Sequence, residues 1–200
     1  MTVGPTLILL AGGRSRRMGR PKHELPVAGT TLLAWQVARL SRFFGDTIVV
    51  GAPAPAGARS VPDARPDAGP LAGIEAGLLA TRQDDRAFLL ACDMPRASAA
   101  LGAMLLTLSD GHDAAVPRVG GIAQPTCAAY ARSAQPKISA FLDGGRHRAT
   151  LALAELDVRY VDDDELRANG IAQSELGDLD LPSDYEAFVA SLAGAAPRLD

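Results

Sequence analysis

The 200-residue sequence predicts an α/β fold: one doubly wound, mostly parallel sheet flanked by helices. Apolar runs such as Thr6-Leu7-Ile8-Leu9-Leu10, Thr47-Ile48-Val49-Val50 and Ala87-Phe88-Leu89-Leu90-Ala91-Cys92 are continuous rather than alternating, as in strands buried on both faces. Segments of helical periodicity lie between them, and a strand–helix–strand order makes crossover units with parallel strands. Glycine-bearing turns follow strand ends at Gly12-Gly13 and at Gly69-Pro70-Leu71-Ala72-Gly73. Sheets of this kind place ligands on the rim where such turns gather.

The elements follow in order. After the first strand, Thr31 to Arg42 carries Leu33, Val37 and Leu40 at helical spacing, with Thr30 or Thr31 as its cap. The second strand, Thr47 to Val50, leads into a loop of Gly, Ala and Pro over 51–59. A short strand from Arg59 to Pro62 precedes the second glycine turn and a helix from Leu71 to Thr81. The run Ala87 to Cys92 is the next strand, followed by a helix from Ala97 to Leu108 and a strand from Ala114 to Pro117. Gly120-Gly121 forms a turn before a strand at Thr126 to Tyr130, then a helix spans Ala134 to Leu142. A strand at Val158 to Val161 and a helix from Ser183 to Leu192 close the chain, with Ser183 and Glu186 as a capping box. No repeat or linker divides the sequence, so residues 1–193 are expected to form one domain and 194–200 a frayed tail.

Apolar residues make up 48% and charged residues 22%, with a formal net charge of −3. That balance argues against a nucleic-acid binder, because the basic cluster near the start is local. Cys92 and Cys127, both in apolar segments, read as buried reduced thiols rather than a disulfide or zinc site. The sequence shows no signal-peptide pattern and no apolar run of membrane-spanning length. A cytoplasmic protein with no membrane partner is the expectation.

The chemistry concentrates at Thr6 to Lys22. The strand stops at Ala11-Gly12-Gly13, and Arg14, Arg16, Arg17, Arg20 and Lys22 follow closely. Glycines let the backbone present bare N–H groups to a ligand, and clustered cations repel one another unless an anion lies among them. A nucleoside triphosphate satisfies both conditions. Neither the Walker loop nor the Gly-x-Gly-x-x-Gly fingerprint is present. Asp93, at the end of an apolar strand and before Met94-Pro95, puts a carboxylate at the mouth of the sheet. Such an oxygen suits Mg²⁺ shared with phosphates, or else caps the helix that starts near Ala97. The three histidines, His23, His112 and His147, lack metal-ligand spacing and read as surface residues; the alternative for His147, in the basic stretch Gly144-Gly145-Arg146-His147-Arg148, is contact with an acceptor's phosphate.

The string Leu10-Ala11-Gly12-Gly13-Arg14-Ser15-Arg16-Arg17-Met18-Gly19, with Lys22 behind it, resembles the opening signature of the MobA-like nucleotidyltransferases. Ala91-Cys92-Asp93-Met94-Pro95, Gly69-Pro70-Leu71-Ala72-Gly73 and Gln124-Pro125 extend the resemblance. It implies a Rossmann-like nucleotidyltransferase fold and transfer of GMP from GTP to the terminal phosphate of molybdopterin. Mg²⁺ would assist, and other cofactor-assembly proteins or molybdoenzymes would be partners. By the same resemblance Leu10, Ala11, Gly12, Gly13, Lys22, Asp63, Gly69 and Asp93 contact the nucleotide, with Asp67 a rival for Asp63. Lys22, Asp93 and Arg17 carry the catalysis, and Asp93 holds the metal. Asp180, or less favourably Asp178, is a second metal contact, in a stretch equally readable as a helix-capping acidic loop. Gln124-Pro125 falls on the acceptor half. Two departures stand out: the step from Gly19 to Lys22 is one residue shorter than in many members, and Gly51 replaces a common asparagine. A cytidylyltransferase of the same superfamily and a non-catalytic cofactor-binding partner remain as alternatives.

Overall fold

A computed structural model describes residues 4–12, 19–63, 65, 67–82 and 85–194. The strands are β1 (Thr6–Leu10), β2 (Pro26–Val27), β3 (Thr30–Thr31), β4 (Asp46–Val50), β5 (Arg59–Val61), β6 (Arg86–Ala91), β7 (Ala114–Val119), β8 (Ile122–Ala123), β9 (Cys127–Ala131) and β10 (Val158–Asp162). The helices are α1 (Leu32–Leu40), α2 (Pro70–Ala80), α3 (Ala99–Leu108), α4 (Gln135–Asp143), α5 (Ala149–Ala152), α6 (Asp163–Ala168) and α7 (Pro182–Gly194).

Eight strands form the main sheet in the order β10-β7-β9-β6-β1-β4-β5, with β8 paired to β7. The β1–β4, β1–β6, β4–β5 and β7–β10 pairs are parallel, whereas β9 runs antiparallel to both β6 and β7. The chain enters β9 from β7 through the tight β8 return, too short a connection for the crossover that parallel strands need. The mostly parallel sheet that the sequence predicts is therefore present, with its reversal at β8 and β9.

Both faces of the central strands are covered, which explains the unbroken apolar runs Leu7 to Leu10, Ile48 to Val50 and Ala87 to Ala91. Ile8 and Leu10 share one core with Ile48, Leu71, Ile74 and Phe141, under α2 and α4. Leu7 and Leu9 share the other with Val37, Phe88, Leu101 and Leu166, under α1, α3 and α6. Alternate side chains of one strand thus feed opposite layers. A third, smaller cluster of Leu25, Val27, Leu32, Leu179 and Phe188 joins the β2–β3 hairpin and α1 to the C-terminal part of the chain. Trp35 meets Phe188 edge-on there, with ring centroids 5.4 Å apart.

Two features of the parallel register place the rim. Leu10 pairs with Ala91 and with Val50, so Gly12 and Asp93 each stand two residues beyond paired strand ends. Gly51, at φ 83°, crosses Gly12 so closely that a Cβ on Gly51 would lie 2.8 Å from the Gly12 Cα. That approach and that backbone angle together require glycine at position 51.

Several element ends differ from expectation. The last helix begins at Pro182, so Ser183 lies inside it rather than at its cap. Instead the Asp184 carboxylate accepts from the Leu181 N–H at 2.7 Å, satisfying one of the end donors. The third helix begins at Ala99 and is capped by Ser98, whose hydroxyl accepts from the Leu101 N–H at 3.1 Å. Asp93 therefore does not cap it. The tail from 195 onward lies outside the described residues. Among the described residues, no helix is long and apolar enough to cross a membrane.

Candidate active site

Lys22 opens a short 3-10 turn, Lys22–Glu24, directly after Pro21. Three residues later Leu25 is buried in the third cluster and closes the turn by donating its N–H to the Lys22 carbonyl at 3.1 Å. The lysine is thus aimed by a fixed neighbour, and it reaches the rim despite the shortened step from Gly19. Its Nζ lies 2.8 Å from Asp93 Oδ2 and 2.8 Å from Asp180 Oδ1.

Asp93 is set by the sheet. The Cys92 N–H donates to the Leu10 carbonyl at 2.9 Å and the Ala91 N–H to the Thr126 carbonyl at 2.7 Å. These bonds fasten the end of β6 to its neighbours on both sides. The Asp93 carbonyl in turn accepts from the Leu179 N–H at 2.8 Å. Leu179 is fully buried, a burial worth roughly 2 kcal/mol. That anchor holds the polar residues Asp178 and Asp180 beside Asp93, 158 positions after Lys22 in the case of Asp180.

These residues border a cavity of about 330 Å³ lined by Leu10, Ala11, Gly12, Lys22, Pro70 and Ala91, and by Cys92, Asp93, Met94, Gln124, Thr126 and Asp178. Gln124 thus faces the same space as Asp93. Asp180 contacts Lys22 but is not part of the lining. Asp63 and Gly69 are not lining residues either. Asp63 accepts from the Arg65 N–H at 3.0 Å, and Gly69, at φ 75°, starts α2. Asp67 stands between them with φ 68°. Gly13 and Arg17 lie outside the described residues, as do Arg14 and Arg16, and Arg20 is exposed. The histidines are all off the cavity, with His112 beside Asp157 at 3.1 Å and His147 on the surface.

The electrostatics favour a cation. Burial alone would lower the Lys22 pKa, but hydrogen bonds to Asp180 and Asp93 override it and hold the ammonium above its ordinary value. Burial, aided by the charges of Asp180 and Asp93, pushes the Asp178 carboxyl upward. Asp93 and Asp180 contact the Lys22 ammonium directly, and Asp178 stands close enough to feel the charges of all three. Hard oxygen donors of this kind suit Mg²⁺. Among the described residues no group of three or more His, Cys, Asp or Glu is arranged to hold an ion. Cys92 and Cys127 are free and buried; burial pushes the Cys92 thiol up to about 12, so it takes no part as a thiolate.

The sequence places Asp178 second to Asp180 as a metal contact, yet Asp178 lines the cavity and Asp180 does not. Its signal is Leu179, an apolar residue between two aspartates, which only a buried partner explains.

A mostly parallel sheet here gathers a glycine turn, a lysine and a strand-end aspartate around one cavity on its rim, an arrangement suited to the charge stabilisation that a nucleotidyltransferase needs. The chain belongs to the MobA-like NTP transferase family, whose domain profile matches residues 7–168. It is 32% identical over 183 residues to a probable molybdenum cofactor guanylyltransferase of Pelotomaculum thermopropionicum, covering 90% of this chain and 89% of that protein. It is 31% identical over 211 residues to another so named in Methanosarcina acetivorans, covering 96% and 93%. Its fold matches the crystal structure of molybdopterin-guanine dinucleotide biosynthesis protein A from Archaeoglobus fulgidus with a TM-score of 0.83 at 24% identity, covering 94% of this chain and 99% of the other.

Proposed function

We propose that this protein transfers GMP from GTP to the terminal phosphate of molybdopterin, with or without bound molybdenum, releasing pyrophosphate. The observation that carries the reading is the meeting of Lys22 and Asp93 at 2.8 Å beside the Gly12 turn, in a chain whose curated relatives bear the guanylyltransferase name. The acceptor's phosphate oxygen attacks the α-phosphorus, the bond to the β-phosphate oxygen breaks, and pyrophosphate leaves with that bond's electrons. A phosphate monoester is already anionic at neutral pH, so no side-chain base is needed, and catalysis is positioning with charge stabilisation.

The backbone at Leu10, Ala11 and Gly12, with Gly13 and Arg17 beyond, wraps the triphosphate, and Lys22 supplies a positive charge to it. Asp93 and Asp180 would hold Mg²⁺, with Asp178 lining the cavity beside Asp93; bound there, the metal would neutralise charge on the triphosphate oxygens. Gln124 and the far wall of the cavity face the acceptor, and Asp63 and the turn at Gly69 bound the nucleotide side.

Pyrophosphate release, measured with GTP, Mg²⁺ and molybdopterin, tests the reading. Turnover is expected with GTP and not with CTP. If CTP protects the protein against thermal unfolding while GTP does not, the guanine assignment is overturned in favour of a cytidylyltransferase.

A further inference from the structure

The loop that joins β5 to α2 is fastened by one side chain outside the cavity. Arg65 donates from Nε to Glu75 Oε2 at 2.8 Å and from Nη2 to Glu75 Oε1 at 3.1 Å. Its remaining arm, Nη1, lies 2.7 Å from Asp143 Oδ1, at the last residue of α4. Its backbone N–H donates to Asp63 Oδ1. One residue therefore ties the loop to two helices and at the same time orients the aspartate at its start.

The cost of this arrangement argues for a geometric purpose. Glu75 is only 5% exposed and also accepts from the Ser139 hydroxyl. Ser139 in turn accepts from Gln135 Nε2 at 2.5 Å. Burying a carboxylate is expensive, and apolar side chains of similar volume generally stabilise such a position at least as well. What an apolar contact does not give is direction, which a two-bonded guanidinium–carboxylate pair does. The loop also holds Asp67 at φ 68° and Gly69 at φ 75°, left-handed conformations that persist where the surroundings fix them. Pro70, at the end of the loop, lines the cavity with Lys22 and Asp93, so displacement of the loop displaces a wall of the site.

We propose that Arg65 is a positioning residue of the nucleotide site, which sets the Asp63 carboxylate and the loop to Gly69 through its clamp on Glu75 and Asp143. This rests on the reading of that loop as the nucleotide side. It does not require Arg65 itself to touch substrate.

The test compares wild-type protein with Arg65→Met, Arg65→Lys and Asp143→Asn. Binding of GTP is titrated by calorimetry without acceptor, and the KM for each substrate and kcat are then measured separately. Arg65→Met is expected to weaken GTP about ten- to a hundredfold, while the KM for the pterin acceptor changes by no more than about twofold. Arg65→Lys, which keeps the charge without the fork, recovers part of the loss. Asp143→Asn, at an exposed helix end, keeps the fold and shifts GTP affinity in the same direction by less. In an Asp63→Ala background, Arg65→Met adds little further loss. Unchanged GTP affinity in Arg65→Met and Asp143→Asn overturns the proposal, as does a full Arg65→Met effect without Asp63. Equal changes for both substrates also overturn it, because they mark a general structural role. Should Arg65→Met fail to fold, Arg65→Lys and Asp143→Asn decide by the same readouts. Failure of wild-type protein to bind GTP overturns the proposed function itself, and this inference with it.

Discussion

Lys22 and Asp93, 71 positions apart in the chain, join at 2.8 Å, and Asp180 completes the contact from the far end of the sequence. The ammonium sits between two carboxylates, in the place where a divalent cation would also find its best potential. Removing it should have two opposite effects. Lys22→Met is expected to lower kcat/KM for GTP by about 10²–10³-fold, with the circular dichroism spectrum unchanged. In the absence of nucleotide, the same substitution should raise the affinity for Mn²⁺ about tenfold, read by electron paramagnetic resonance titration. Loss of metal affinity in Lys22→Met would contradict the shared site.

Gly51 predicts a sharper structural failure. A methyl group there would meet the Gly12 Cα at 2.8 Å and its nitrogen at 2.9 Å, at a φ of 83°. Neither partner is a flexible side-chain end, so the backbone must move. Gly51→Ala is expected to cost about 2 kcal/mol or more, seen in urea unfolding, and to weaken GTP beyond what the lost stability explains. Wild-type affinity in this variant would mean that the Gly12 turn does not contact the nucleotide.

Gln36, on α1, is fully buried and neither its amide nitrogen nor its amide oxygen has a hydrogen-bond partner among the described residues. Leaving such groups unsatisfied costs about 1–3 kcal/mol. Gln36→Met keeps nearly the same shape without the polar atoms and should stabilise the fold by an amount in that range. Chemical denaturation decides it: a lower midpoint for Gln36→Met would show that the amide is satisfied.

Cys92 borders the cavity yet should be inert. With its pKa pushed up to about 12, only about one thiol in ten thousand is ionised at pH 8, and Cys127 is raised by burial too. Alkylation by iodoacetamide at that pH is expected to label neither cysteine in the native protein and both in denaturant. Rapid native labelling of Cys92 would reveal a more open rim than the structure shows.

The sheet strands were readable because burial on both faces leaves an uninterrupted apolar signature, as in Leu7 to Leu10. Strand direction was not, since Cys127 to Ala131 reads identically either way; the short return through β8 reverses it. The β2–β3 hairpin escaped notice because its strands are two residues long and its turn uses Ala28 at φ 47° with Gly29, not the usual Asn-Gly. Lys22 and Asp93 stood out by their neighbours in sequence, whereas Asp178 and Asp180 look like an ordinary helix-capping loop. What sets them apart is tertiary: the buried Leu179 and its bond to the Asp93 carbonyl. The nucleotide-side loop was legible as a turn, but Arg65 and Glu75 gave no local hint of their pairing across ten residues.

The small apolar cluster around Leu179 and Phe188 has a bearing on how short this protein can be made. Its members come from both sides of the boundary at residue 168 where the family profile ends. A version trimmed at that boundary would keep every strand of the sheet but uncover Leu25, Val27 and Leu32, and would deprive Lys22 of Asp180. The cluster is completed only by the segment that leads into the last helix and by that helix itself, well after the sheet is complete.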